Sequence, residues 1–310
     1  MYKDVLRGSC FPLFFVPKSK VSNPKIKKGA PKICGYSMAE MIIVFREVLE
    51  ASLIVGILYT YLRKINKNEA IIRLWQGVMV ALAASLLGSL IFQKFAGGFQ
   101  GQAEKLFEGF VMILAAIMLG TMIVWMAKNS NIASELEEKA AEALDGNKLG
   151  YGIFALAFIS VFREGIETIL FLYGVMMKQG GLSVPLSFVG AAFGIGVGYL
   201  IFVQGKRVPL KTFFNVSSVL LIFVAAGMLA YGVHELESAG VIPNYGRVWD
   251  INPPKLPDGS YPVLHDKGMI GGLFKGLFGY NGDPSAIELL TWLTAVIGLG
   301  YMWKEASASK

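Results

Sequence analysis

The chain has 310 residues, 54% of them hydrophobic and only 16% charged, with a mean hydropathy of +0.54. Soluble domains carry nearer a quarter charged residues, and the apolar residues here fall in runs of roughly 20, enough to cross a hydrocarbon core of about 30 Å as helix. The ten-residue alternation of a membrane barrel is missing. The net charge of +7 does not argue for nucleic acid, because it is local. Residues 1–37 hold Lys3, Arg7, Lys18, Lys20, Lys25, Lys27, Lys28 and Lys32 against Asp4, and the rest of the chain carries as many acids as bases.

That basic head also contains both cysteines, Cys10 and Cys34, so the remainder has no disulfide and no thiolate ligand. Its apolar stretch, Cys10–Val16, is too short for a span or a signal h-region. Two readings stay open: translation begins at Met38 or Met41, or the head is a disordered extension.

The segment 38–304 reads as a transmembrane domain. Apolar runs bounded by charge or by Gly/Pro breaks give spans at 39–62, 71–93, 106–127, 150–175, 184–204, 211–233 and 287–304. The expected fold class is an all-α membrane protein of about seven transmembrane helices. Between the third and fourth spans lies one amphipathic helix. Ser134 with Glu137 makes a capping-box pattern, Leu136, Ala140 and Leu144 share a face, and Gly146 closes it. A long segment, 234–286, precedes the last helix, and 305–310 form a short tail.

Basic residues concentrate in alternate loops: Arg63, Lys64, Lys67 and Arg73, then Lys128, Lys139 and Lys148, then Lys206, Arg207 and Lys211, then the tail with Lys304 and Lys310. The other loops hold Lys94, Lys105 and Lys178. By the positive-inside rule the N-terminus is outside and the C-terminus cytoplasmic, as expected of a multi-pass plasma-membrane protein.

Only two basic residues fall deep inside spans, Arg46 and Arg163, and each opens the same pattern. The first reads Phe45-Arg46-Glu47-Val48-Leu49-Glu50 and the second Phe162-Arg163-Glu164-Gly165-Ile166-Glu167. An ionised side chain at a helix centre costs about 2.5–3.5 kcal/mol on insertion scales, so three per helix need a compensating partner. Glutamates at i and i+3 share a helix face, and the arginine lies one turn before the second. Arg46 and Arg163 are therefore expected to brace the carboxylates. Four acids against two guanidiniums leave a formal surplus of two negative charges, which a bound cation would cancel. All-oxygen ligands suit Fe3+, Fe2+, Mn2+, Mg2+ or Ca2+ better than Cu+. The metal-site candidates are Glu47, Glu50, Glu164 and Glu167, with Glu108 added because it stands within an apolar run. The bland alternative is a pair of interhelical salt bridges that hold the bundle together.

The copies are 117 residues apart, from Arg46 to Arg163, and Ile42/Ile159, Val44/Val161 and Leu53/Leu170 match at the same offset. Three spans separate them, so the halves near 39–127 and 150–233 are expected to be inverted three-helix repeats with a site between them. Both motifs fall near mid-membrane: about 10 Å from the outer end in the first span and about 20 Å from the inner end in the fourth. Further acids gather toward the outer side. Glu40, Glu104, Glu235, Glu237 and Glu288, together with His234, are candidate cation-capture residues; ordinary interfacial solvation is the alternative for each. Both histidines, His234 and His265, lie in the outer segment, which disfavours haem.

These residues resemble the oxidase-dependent iron permease family, which includes the fungal high-affinity ferric permease and bacterial iron-uptake permeases. The resemblance runs from Met41 to Trp303. It is carried by Phe45–Glu50, Glu108-Gly109 leading to Trp125-Met126, Phe162–Glu167, Gly232-Val233-His234-Glu235-Leu236 with Gly240, and Phe278-Gly279-Tyr280 before Pro284. It implies seven helices, motif glutamates as iron ligands and iron as transported substrate, with no cofactor. It also implies extracytoplasmic oxidase, peroxidase or iron-binding partners. A permease for lead or another divalent metal is the rival within the class. An intramembrane di-metal carboxylate oxidase is the rival outside it, although such sites use Glu-x-x-His pairs.

Overall fold

The structure is a computed structural model, and it describes residues 39–128, 132–145, 150–179, 182–202, 210–253, 261–266 and 268–308. The basic head and Gly146 lie outside the described residues. Among those described there are nine helices: α1 (Ala39–Lys64), α2 (Asn68–Ala96), α3 (Gln102–Lys128), α4 (Ile132–Asp145), α5 (Tyr151–Gln179), α6 (Val184–Phe202), α7 (Leu210–Ser238), α8 (Met269–Phe278) and α9 (Ala286–Ala308). Each expected span coincides with a helix to within a few residues. The chain is an all-helical membrane protein.

Five helices, α2, α3, α6, α7 and α9, are long and apolar enough to cross a membrane. They leave large apolar side chains uncovered, among them Leu86, Leu90 and Ile91 on α2, Phe188, Phe193 and Ile195 on α6, and Leu290 and Ile297 on α9. Water would not tolerate so continuous an apolar surface, whereas lipid does. α1 and α5, of 26 and 29 residues, fall outside this set because each carries its Arg-Glu-x-x-Glu in mid-helix.

α1 packs against α6, α2 against α5 and α3 against α7, and α1 also meets α5. The α1–α6 seam is built on small residues. Gly190, Gly194 and Gly198 of α6 are buried, and a Cβ at Gly194 would stand 2.9 Å from the Phe45 carbonyl and 3.0 Å from the Val48 side chain. Only glycine lets α6 press so close to the first motif. α3 and α7 cross at a reciprocal pair, since a Cβ on Gly109 would meet the Gly232 carbonyl at 3.0 Å and the converse holds at the same distance.

Two apolar clusters divide the interior. One joins Ala39 and Ile43 of α1 to α3, to Phe171 and Val175 of α5, and to α7. The other joins Leu58 and Leu62 of α1 to α2, to Ala140 of α4, and to Ile153, Ala157 and Val161 of α5. α1 and α5 thus run in opposite directions. Both motifs fall in the layer between the clusters.

Four local points differ from expectation. α4 begins at Ile132, so Ser134 sits in its first turn instead of capping it; Leu136 and Ala140 are buried as the pattern requires. α7 continues to Ser238, so His234, Glu235 and Glu237, expected in the segment after the sixth span, occupy its last turns; the apolar run ends before the helix because helix ends tolerate polar residues at an interface. Helix α8, within the segment 234–286, was not expected. Lys178, read as a loop residue, lies in the last turn of α5 and is buried beside Gly227 of α7.

Candidate metal centre

The charged layer between the two apolar clusters is where the motif side chains meet. Arg46 is 1% exposed. Its Nε lies 3.0 Å from Glu50 Oε1, its Nη1 is 4.0 Å from Glu47 Oε1, and its Nη2 donates to Met126 Sδ at 3.2 Å. The i,i+4 spacing brings Arg46 onto Glu50, as the pattern demands. In the second motif, Arg163 Nη2 lies 3.2 Å from Glu164 Oε1 and Arg163 Nε lies 3.2 Å from Glu167 Oε1. All four glutamates are buried.

Across the α1–α5 contact, Glu47, Glu164 and Glu167 each bring one carboxylate oxygen within 4.8 Å of the others. Apart from the arginine contacts and a contact between the Glu47 and Glu164 carboxyl groups, no donor among the described residues reaches either oxygen of Glu47 or Glu164, or Oε2 of Glu167. Buried carboxylates without donors are costly. Three converging anionic oxygens can hold a hard cation, which would remove that cost. Glu50 stands beside this trio, held back by Arg46.

A cavity of about 170 Å³ opens from the layer toward α4. Glu50, Arg163 and Glu164 line it at the motif end, and Glu135 and Lys139 line it at the α4 end. A larger cavity, about 490 Å³, is walled by Phe274, Phe278, Trp249 and Trp292 and touches none of the motif acids. Glu288 is the one carboxylate among its lining residues, whereas the smaller cavity reaches two of the motif acids.

The other candidates lie elsewhere. Glu108 is half-buried on α3, next to the Gly109–Gly232 crossing, and interacts electrostatically with Glu235, Glu104 and Lys105. Glu104 is exposed. Glu40 is buried, and its Oε2 accepts the Ser183 backbone N–H at 2.6 Å just before α6, where a carboxylate complements the helix dipole. Glu235 and Glu237 are buried near the end of α7, and no donor among the described residues reaches the oxygens of Glu237. Glu288 is occupied structurally: Ser285 Oγ accepts the Glu288 N–H at 3.1 Å, and Glu288 Oε2 lies 3.4 Å from the Ser285 nitrogen, a capping box at the start of α9. Asn281 donates to its other oxygen at 2.7 Å, and His234 Nδ1 is 3.3 Å from Oε2. The Ser-x-x-Glu spacing was the signal for this cap. Met126 entered only through the family resemblance, because a thioether on an apolar helix reads as filler until an arginine is seen against it.

The model of the iron permease FTR1 family matches residues 37–310. The chain belongs to the iron permease FTR1 family.

Among its relatives, a protein of Archaeoglobus fulgidus is 36% identical over 270 residues, covering 86% of this chain and 91% of that one. The ferrous iron permease EfeU of Escherichia coli O6:K15:H31 is 32% identical over 260 residues, covering 83% and 91%. That of Yersinia pestis is 30% identical, covering 83% and 89%. No solved structure matches the chain. Family membership makes this permease a transporter, with iron as the substrate, and the di-metal oxidase reading falls away.

Proposed function

We propose that this FTR1 family permease carries Fe2+ across the cell membrane through the layer where its two Arg-Glu-x-x-Glu motifs meet, with Glu47, Glu164 and Glu167 as principal ligands. The convergence of three donor-poor, buried carboxylates within 4.8 Å carries the reading. Glu50 completes the set, and Arg46 and Arg163 fix rotamers and reduce repulsion in the empty site. The ferrous cargo is taken from the names of the EfeU relatives. Interhelical salt bridging alone accounts poorly for the arrangement, since it would leave carboxylate oxygens buried without donors.

In this proposal the membrane is crossed seven times, by α1, α2, α3, α5, α6, α7 and α9. The halves α1–α3 and α5–α7 are inverted repeats. Pairing of α1 with α6, of α2 with α5 and of α3 with α7 supports it, because exchanging the halves maps that set of contacts onto itself. The α4 side is cytoplasmic, in keeping with the basic loops. Glu108 and Glu235, with Glu104 and Glu237, form an outer mouth that concentrates cations, where an oxidase, peroxidase or iron-binding partner would deliver the metal.

Initial rates of Fe2+ and Fe3+ uptake into proteoliposomes, for wild type and for Glu47→Gln, Glu164→Gln and Glu167→Gln, test the site. Loss of most uptake in each variant is expected. Uptake by all three at the wild-type rate refutes it.

A further inference from the structure

We propose that Glu135 on α4 is a second carboxylate station for the cation, receiving it from the motif acids and passing it to the solvent on the α4 side. This rests on the motif acids being the cation site.

α4 lies against both α1 and α5, the two motif helices. Its buried face, Leu136 and Ala140, packs into the second apolar cluster. One flank of the helix, Glu135 and Lys139, lines the cavity of about 170 Å³ whose opposite end is lined by Glu50 and Glu164. Its remaining walls are mostly apolar, including Leu53, Ile54, Ile57 and Leu156. A cation leaving the motif trio therefore enters a space with room for several waters but little to replace its ligands. Among the described residues, Glu135 is the one carboxylate along the wall outside the motifs.

Glu135 is suited to transfer and not to storage. Its side chain is 51% exposed, so it reaches both cavity and solvent, and Lys139 Nζ sits 2.7 Å from its Oε1. This exposed pair is weak, so an arriving cation can displace the ammonium, and the ammonium can displace the cation in turn. Exchange of partners keeps the station from becoming a trap. The neighbouring acids Glu137, Glu138 and Glu142 are exposed and do not line the cavity.

The experiment uses the full chain in proteoliposomes, with initial Fe2+ uptake measured over a range of concentrations and equilibrium Fe2+ binding measured in detergent. Wild type is compared with Glu135→Gln, Glu135→Asp, Glu138→Gln and Glu164→Gln. Glu135→Gln is expected to lower the maximal rate about tenfold, the scale of losing a partner beside a metal site, at unchanged half-saturation and binding. Glu135→Asp should recover most of the rate, and Glu138→Gln should match wild type. A wild-type maximal rate in Glu135→Gln, with Glu164→Gln inactive, overturns the α4 station and leaves the motif site standing. Lost binding in Glu135→Gln, or an equal fall in Glu138→Gln, also overturns it. Wild-type binding and transport in Glu164→Gln refutes the motif site itself.

Discussion

Arg46 and Arg163 hold the same place in the two motifs, yet Arg46 is 1% exposed and Arg163 is 55% exposed. Arg46 is enclosed by Glu47, Glu50 and the Met126 thioether, whereas Arg163 lines the cavity toward α4. The two halves of the site are therefore electrostatically unequal. One acid of the first motif is locked by a fully buried guanidinium, and the second motif's guanidinium touches both its acids while half-exposed.

The inequality predicts different costs on truncation. Arg46→Ala strands buried carboxylates and should destabilise the protein by about 3–5 kcal/mol, the range for breaking a buried ion pair. Arg163→Ala also uncovers buried acids but removes a half-exposed guanidinium, so it should cost less than Arg46→Ala. Thermal unfolding in detergent checks both. Equal shifts for the two variants would refute the asymmetry.

Within the carboxylates, Glu50 should differ from the other three. Glu47→Gln, Glu164→Gln and Glu167→Gln each remove an oxygen of the converging trio and should weaken iron binding by about 10–100-fold or more, the effect of losing even an outer-shell partner. Glu50→Gln should have a smaller effect on binding, since Arg46 already holds that side chain at 3.0 Å. Equilibrium titration of purified protein with Fe2+ separates them.

The α6 glycines make a matched pair of tests. At Gly194 a Cβ would press on Phe45 and Val48, while at Gly196 it would meet nothing within 4 Å. Gly194→Val should cost about 1–3 kcal/mol through overpacking and disturb uptake, because the strain falls on the first motif's helix. Gly196→Val should leave both stability and uptake near wild type, as read from melting and transport assays.

The capping box at α9 predicts stability loss without loss of iron binding. Ser285→Ala should destabilise by about 1 kcal/mol, as should Glu288→Gln, and the motif site should titrate normally in both. A fall in iron affinity with Glu288→Gln would instead return Glu288 to the capture residues.

How far the sequence could be read follows from the kind of signal each feature leaves. Long apolar runs have to be helices in lipid, where every backbone polar group must be satisfied internally, so the seven long helices were legible. Charge in mid-helix is so costly that the repeated Arg-Glu-x-x-Glu stood out against an apolar background. Short α8 was not legible: its ten residues, Met269–Phe278, lie in a mixed segment with no long periodicity.

The sequence by itself determined the solvent this protein lives in, the helices it forms and the residues that carry charge into the apolar layer, because those follow from local composition and periodicity. Only the tertiary structure decided that Glu47, Glu164 and Glu167 converge while Glu50 stands aside, that Arg46 is buried and Arg163 is not, and that Glu135 shares a cavity with the motifs. Those are distances between segments remote in sequence, set by how glycine seams let α6 close on α1 and by where two antiparallel helices cross.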